Sequence, residues 1–344
     1  MPTTSTNPSQ QVIPSLYTLE QIEKVIMQES FVTELIRGIQ DGFVAYESGE
    51  FFACPIQTMG LPPFPFVETE GYAAQTCVKS GYFKGQEYYV IKVASGGYPM
   101  PSNSGLMQIY SQKTGKLEAL LLDDGILTEI RTAAVGALAA KLLAPKDLEI
   151  IGMVGTGIQA RFQLLMLSSI TECRKVQVWG RTPANVQAYC EEMAQEGWDI
   201  QAVNQIDDLL KECDLIVTTT CSREPLLGNN LACLSSRKRP GLHITCIGAD
   251  APGKTELTPE LVAKADLLVA DTIGQTIERG EFRGAIQSGL VQTEFIQSLG
   301  KVVQELDFHR KSEDDNRLTI FDSSGVALQD CVISSITYQA LKKL

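Results

Sequence analysis

The feature of this 344-residue sequence that most constrains its fold is a glycine-rich turn between an apolar run and a helical run. The apolar run covers 148–154, and the turn at 155–160 reads GTGIQA, the G-x-G-x-x-A form of the dinucleotide fingerprint. The first glycine permits a tight turn, the second lets the backbone approach a pyrophosphate, and Ala160 is small enough for the helix to pack on the strand. A turn without a ligand is the simpler alternative, but the order of strand, loop and helix favours a dinucleotide site, with phosphates at the helix N-terminus. The cofactor contacts expected here are Gly155, Thr156, Gly157, Ile158 and Gln159.

Short apolar runs without polar alternation recur around and after this turn. Such runs are typical of parallel strands covered by helices on both faces, so we predict a doubly wound α/β Rossmann domain over 128–318. We expect its first helix to begin at Thr128 as the N-cap and to end before Pro145. The predicted strands are 148–154, 175–179, 214–219, 243–247 and 266–270.

The chain before this domain has a different pattern. Apolar residues at helical spacing over 17–47 precede strand-like runs, which predicts an α+β domain with an antiparallel sheet. The final stretch, 319–344, is strand-like and then helical, and we expect it to return to this first domain, 15–127. Residues 1–14 are polar and are expected to form a loose tail. The strand-like runs cover 71–78, 87–94, 105–110 and 116–122.

The composition of the chain argues against several kinds of binding partner. A net charge of −12 without a long basic run would repel a phosphate backbone or an anionic bilayer, so nucleic acid and membrane partners are not expected. The sequence contains no run of ~18 apolar residues. Its nine cysteines lack C-x-x-C spacing, and only two histidines could join them. We therefore predict reduced thiols, no metal site and a cytoplasmic location.

The end of the second parallel strand bears on cofactor choice. NAD enzymes commonly place a carboxylate there for the ribose hydroxyls. This chain instead has Arg181 and Thr182, which could hold a 2′-phosphate, so NADP(H) is favoured over NAD(H). A solvated arginine in a loop is the alternative, and a single residue does not decide between them.

Two further strands should end on the same edge of the sheet as the glycine turn, which is where ligands bind in open α/β sheets. Thr219 ends the first of these strands and Gly248 directly follows the second, and both are expected beside the cofactor. Asp250 and Lys254 follow directly and are expected near the nicotinamide. Asp250 could instead form a turn or cap a helix, and Lys254 could be a solvated loop charge.

Two cations occupy unusual positions. Arg131 lies in the predicted first turn of the alanine-rich helix, where the dipole disfavours a cation by roughly 0.3–1 kcal/mol. A substrate carboxylate would explain it, and an ion pair with Glu129 or a surface position is the alternative. Lys92 lies within the apolar strand YYVIKVA, so it points either into a site or from an exposed face.

These residues together resemble the ornithine cyclodeaminase/mu-crystallin family over nearly the whole chain. The resemblance implies an NAD(P)-dependent oxidoreductase that acts on a small amino acid or its cyclic imine, of the ornithine cyclodeaminase, ketimine reductase or alanine dehydrogenase type. The alternatives are an ornithine cyclodeaminase proper, which makes proline and ammonia, or a non-catalytic NADPH-binding protein like mu-crystallin. The matching motifs are IKV at 91–93, LTEIRTAA at 127–134, the turn at 155–160, WGRT at 179–182, GADAPGKTEL at 248–257 and FDSSG at 321–325.

The resemblance also implies roles and an assembly. Lys92 and Arg131 would hold the substrate, Arg131 chiefly through its α-carboxylate, and Lys254 is a further candidate for substrate binding. Asp250 would be the catalytic acid/base group, with Lys92 the next candidate for that role. The α+β domain would bind substrate and form a homodimer interface. One departure concerns Gln57, which stands in Pro55-Ile56-Gln57 where the family usually has Pro-x-Arg. A neutral amide at that substrate-binding position predicts weaker recognition of diamino acids such as ornithine.

Overall fold

The computed structural model describes residues 13–60, 75–96, 104–237, 239–311 and 315–344, and these form two sheets with helices between and around them. The predicted strand at 71–78 begins outside the described residues, and its described part belongs to a longer strand. The strands of the first sheet are β1 (Ser15–Tyr17), β2 (Phe51–Ala53), β3 (Gln57–Gly60), β4 (Gln75–Phe83), β5 (Tyr88–Gly96), β6 (Ser104–Ser111) and β7 (Leu117–Leu121).

This first sheet has the order β1-β7-β6-β5-β4-β2, with β3 also paired to β4. Its pairs are antiparallel except for β1 with β7, which is parallel. Helices α1 (Leu19–Ile26) and α2 (Glu29–Glu47) precede β2, as the helical spacing predicted. Their apolar residues contribute to one core with the inner face of the sheet, which confirms the α+β character of this part of the chain.

Helix α3 (Ile126–Leu143) begins earlier than predicted. Its N-cap is Gly125 in the left-handed conformation, with φ 88°, and the Asp123 carboxylate accepts the Leu127 N–H at 3.1 Å. The prediction that Thr128 caps this helix is therefore wrong, because the preceding turn already satisfies its first donors. Arg131 consequently lies in the second turn, so the helix dipole gives no account of it.

The second sheet is wholly parallel and has the order β10-β9-β8-β11-β12-β15-β13-β14, which confirms the doubly wound Rossmann prediction. Its strands are β8 (Ile151–Val154), β9 (Lys175–Trp179), β10 (Asp199–Ala202), β11 (Leu215–Thr218), β12 (Leu242–Cys246), β13 (Leu267–Ala270), β14 (Ile296–Ser298) and β15 (Leu318–Asp322). Its helices are α4 (Ile158–Leu167), α5 (Pro183–Gln195), α6 (Asp208–Glu212), α7 (Ala232–Ser235), α8 (Pro259–Val262), α9 (Ile273–Glu278), α10 (Arg283–Gln287) and α11 (Leu299–Gln304).

The final segment of the chain is divided between the two sheets. Strand β15 pairs with β12 and β13 in the parallel sheet, so the expectation that this strand returns to the first domain is wrong. All five of its residues are buried, as a central parallel strand requires. Helix α12 (Ala327–Leu341) does return, and it packs against α2, β4 and β5. The rest of the predicted domain division stays a prediction.

In the part of the chain that the structure describes, we find no helix with the length and apolar character needed to cross a membrane.

Candidate functional site

The glycine turn has the geometry that its sequence predicted. Gly155 has φ +109°, and a Cβ there would lie 2.7 Å from the Thr219 hydroxyl, so only glycine fits. Gly157 is the N-cap of α4, and no described atom lies within 4 Å of a Cβ added to it. Ala160 is fully buried where α4 packs on the sheet. The turn therefore leaves open space at a helix N-terminus, which suits a pyrophosphate.

The turn also lies at the point where the strand order reverses. Strand β8 has β9 on one side and β11 on the other, and the chain moves outward in opposite directions from it. Thr219, directly after β11, donates its hydroxyl proton to the carbonyl of Val154 at 3.1 Å. Such a switch point is where nucleotides bind in doubly wound sheets.

Arg161 stabilises this turn, although sequence reasoning did not single it out. Its guanidinium donates to the carbonyls of Thr156 and Gly157 at 2.7 and 3.0 Å and forms an ion pair with Glu192. The available sequence signal for Arg161 was its position about one turn into α4, the helix that follows the glycine turn.

Gln159 contacts the neighbouring helix. Its side-chain amide donates to the backbone carbonyl of Glu129 at 3.0 Å and also to the Glu129 carboxylate. Gln159 thus links the glycine turn to α3, two residues from Arg131. Its neighbour Ile158 is 51% exposed at the start of α4.

Arg181 and Thr182 lie where predicted, in the loop between β9 and α5. Both side chains are exposed, and Thr182 makes no side-chain capping bond to α5. Since β9 is the neighbour of β8, this loop is adjacent to the glycine turn.

A buried carboxylate fixes the two loops that follow β11 and β12. Glu256 accepts the N–H of Thr220 at 2.5 Å and that of Gly248 at 2.9 Å, together with the Thr218 hydroxyl at 2.6 Å. Glu281 accepts in turn from the N–H groups of Glu256 and Leu257. Burial raises the pKa of Glu256 and raises the pKa of Glu281 to about 8. Neither acid was predicted, and the only sequence signal was the GKTEL motif that contains Glu256.

Asp250 and Lys254 lie in the loop after β12, between Gly248 and Glu256, and they contact each other. Their ion pair is 2.6 Å long, and the Asp250 side chain is 56% exposed. Burial disfavours the ammonium, but the Asp250 carboxylate outweighs it and raises the pKa of Lys254. Lys254 is therefore not a solvated loop charge. The Asp250 carboxylate also acts electrostatically on Lys79 of the first sheet.

Lys92 and Arg131 meet at a buried carboxylate on α12. Lys92 Nζ lies 2.9 Å from Asp330 Oδ1, and Arg131 Nε lies 3.0 Å from the same oxygen. Lys92 is 2% exposed, Arg131 4% and Asp330 1%. Lys92 thus points into the molecule, and the ion pair of Arg131 is with Asp330. Burial lowers the pKa of Lys92 to about 7, although Asp330 acts in the opposite direction.

Sequence reasoning missed Asp330 and three further residues in or near this cluster. Lys79 is the cross-strand partner of Lys92 and donates to the carbonyl of Gly325 at 2.9 Å. Gln329 accepts from Arg131. Burial raises the pKa of Asp123 to about 6. Asp330 had a sequence signal as the lone charge in an apolar helical run, but its partners could not be predicted from spacing.

The structure does not bring Gln57 into this cluster. Gln57 is exposed on β3 and pairs with Val78, whereas Lys79 is the next residue along β4. Successive residues of a strand point to opposite faces, so Gln57 lies on the face opposite to Lys79 and Lys92. The motif match gave the position of Gln57 in the chain but not the register of β3 with β4, which determines its face.

A doubly wound sheet with a glycine turn at its switch point defines a Rossmann-type dinucleotide-binding fold, here combined with a second sheet that carries a buried ionic cluster. The chain belongs to the ornithine cyclodeaminase/mu-crystallin family, whose model matches residues 18–343. This confirms the resemblance read from its motifs.

Individual relatives match this chain over most of their own length. An uncharacterized cyclodeaminase of Sinorhizobium fredii is 34% identical over 286 residues, which is 81% of this chain and 84% of the relative. The structure of the iminosuccinate reductase of Paracoccus denitrificans in complex with NAD⁺ has a TM-score of 0.81 at 27% identity, covering 96% of this chain and 97% of that one. An archaeal alanine dehydrogenase dimer with bound NAD has a TM-score of 0.80 at 26% identity, covering 96% of both chains.

Proposed function

We propose that this chain is an enzyme that transfers hydride between a nicotinamide cofactor and the α-carbon of a small amino acid or its imine. The observation that carries the proposal is that the ionic cluster reaches the edge of the parallel sheet that carries the glycine turn. Lys79 of the ionic cluster donates to the Gly325 carbonyl, and the Gly325 N–H donates to Asp271, which directly follows β13 at the edge of the parallel sheet that carries the glycine turn. Relatives that act on an imino acid and on alanine support this assignment.

The cofactor would be held by the residues of the glycine turn and its neighbours. The open space beside Gly157 and the N–H groups at the start of α4 suit a dinucleotide pyrophosphate. Thr219 and Gly248 lie on the same sheet edge, toward Asp250. When bound, the nicotinamide would accept or supply the hydride.

The remaining roles follow from charge and exposure. Arg131 and Lys92 would bind the substrate α-carboxylate, because both keep N–H donors beyond those directed at Asp330. Asp250 would exchange a proton with the substrate nitrogen, since its carboxylate is half exposed at the sheet edge. Lys254 would hold that carboxylate in place.

We also propose a preference for NADP(H). The support is the exposed pair of Arg181 and Thr182 beside the glycine turn, which could take a 2′-phosphate. The two structural relatives contain NAD⁺ or NAD, so the preference would distinguish this chain from them.

The outer face of the first sheet supports a homodimer. Tyr89 and Tyr110 stack on it at 5.1 Å, and Ile91 and Val93 beside them are only partly buried. An apolar sheet face of this kind is typical of a subunit interface. Val93→Lys should convert the dimer to a monomer in light scattering, whereas a native chain that is already monomeric would remove this proposal.

A cytoplasmic location is the proposal that best suits the cysteines. All nine are free thiols, and a reducing environment would keep them in that state.

The function is tested by a substrate screen. Amino acids with oxidised cofactor, and 2-oxo acids with ammonia or cyclic imines with reduced cofactor, should produce a change in absorbance at the nicotinamide band. A separate assay for ammonia and proline is needed, because a cyclodeaminase regenerates its cofactor within each turnover. Cofactor binding without turnover of any substrate would instead support a non-catalytic binding protein.

A further inference from the structure

The ionic cluster holds more cationic groups than an α-carboxylate alone requires. Lys79 and Lys92 are directly opposed on β4 and β5, so their side chains share the inner face of the sheet. Arg131 approaches the same place from α3, and it acts electrostatically on both lysines. Lys79 is partly accessible, whereas Lys92 and Arg131 are nearly inaccessible. Lys79 is also the member of the three that bonds to a backbone carbonyl, that of Gly325, rather than to Asp330.

Each carboxylate around the cluster already accepts at least one hydrogen bond or ion pair, and that of Asp123 accepts the Leu127 N–H. Asp330 receives both Lys92 and Arg131 on one oxygen. Asp271 accepts from the Gly325 N–H at 2.7 Å and from a serine hydroxyl, and Asp250 is paired with Lys254. The bond that Lys79 makes to Gly325 is to a neutral carbonyl. Burial, followed by the repulsion of Arg131, lowers the pKa of Lys79, and a bound anion would offset both effects.

We propose that the substrate is a 2-amino dicarboxylic acid or its imine, with the α-carboxylate on Arg131 and Lys92 and the second carboxylate on Lys79. This rests on the proposed function. In the oxidative direction the Cα–H bond breaks, its electron pair and hydrogen go to the nicotinamide, the amine loses a proton, and a C=N bond forms. The same ammonium of Lys79 would repel the side-chain ammonium of a diamino acid.

The test compares Lys79→Met with the native enzyme on aspartate and on alanine. The variant should lose about 10- to 100-fold in kcat/KM for aspartate, as expected for the loss of a hydrogen bond between charged groups, with little change for alanine. Lys84→Met is the matched control, because Lys84 directly follows the same strand and has an exposed side chain, and it should affect neither substrate. Lys79→Glu should go further and allow turnover of 2,4-diaminobutyrate.

Binding supplies a readout that does not depend on turnover. In calorimetry with cofactor present, succinate should bind the native enzyme more tightly than butyrate, and Lys79→Met should remove that difference. A native enzyme that prefers alanine to aspartate, or a variant that loses both equally, would overturn the dicarboxylate proposal and leave the proposed function intact. Absence of turnover for every amino and imino acid would count against the proposed function instead.

Discussion

Asp330 and Lys92 are 238 positions apart in the chain, yet the carboxylate of one lies 2.9 Å from the ammonium of the other, and both residues are buried. Two buried charges of opposite sign reduce the cost of each other's burial, and removal of one leaves the other uncompensated. The pair also joins the last helix to the middle strand of the first sheet, so it fixes both a structural contact and the charge state of the site.

Asp330→Asn should therefore shift the pH dependence of substrate binding toward acid. The pKa of Lys92 is about 7, and the attraction of Asp330 keeps it from falling further. If the ammonium binds the substrate carboxylate, kcat/KM for the native enzyme falls as pH rises through about 7, and the fall should occur at lower pH in the variant. We also expect a loss of about 3–5 kcal/mol in the free energy of unfolding.

A pH profile of kcat/KM and a denaturant titration check both effects. Asp307→Asn is the matched control, because that side chain is 92% exposed in its ion pair with a lysine and should change neither quantity. An unshifted profile in a folded Asp330→Asn variant would show that Lys92 does not bind substrate as an ammonium.

Asp250→Asn should separate catalysis from binding. An amide keeps the size of the side chain but cannot exchange a proton near neutral pH, and a positioned acid/base group typically contributes ~10²–10⁴-fold in rate. Turnover should fall at least ~10²-fold, while cofactor affinity and thermal stability stay near native values because the side chain is half exposed. Native turnover would transfer the acid/base role to Lys92, and unfolding would show a structural role.

Glu281→Gln should alter stability in a pH-dependent way. The folded pKa of Glu281 is raised by burial to about 8, so the folded state holds a proton that the unfolded state releases near pH 4.5. The free energy of unfolding of the native protein therefore decreases as pH rises between these values, by on the order of a few kcal/mol. The variant cannot ionise at this position and should show a flatter dependence in urea titrations at pH 6 and pH 8.5. Equal slopes for the two proteins would contradict this.

Arg181→Ala should weaken NADPH binding about 10-fold and leave NADH binding unchanged, because only the 2′-phosphate offers an anion to the guanidinium. Fluorescence titration of the reduced cofactors measures both. If the native protein binds NADH as tightly as NADPH, and the substitution affects neither, Arg181 is a solvated loop residue.

Local sequence signals predicted the parallel sheet because each of its elements is defined within a short stretch. The glycine turn, the buried strands and the position of Asp250 after β12 all depend on neighbours in the chain. Strands β10 and β14 were missed, since they are short edge strands with little apolar character.

Long-range pairings could not be obtained in this way. The fold brings Lys79 and Asp330 to Lys92 through the register of β4 with β5 and the packing of α12, neither of which leaves a local signal. Gln57 shows the same limit. The motif match suggested that it binds substrate, but the register of β3 with β4 places Gln57 on the other face of the sheet.

The position of β15 has a consequence for how the protein is made. This strand comes from the end of the chain yet lies between β12 and β13, and α12 directly after it supplies Asp330 to the first sheet. During synthesis, neither half can reach its native arrangement until β15 and α12 have left the ribosome, so the nascent chain holds an open gap between β12 and β13 until then. Such late, non-local closure slows folding and exposes unpaired strand edges, which makes this chain a candidate for chaperone assistance during synthesis.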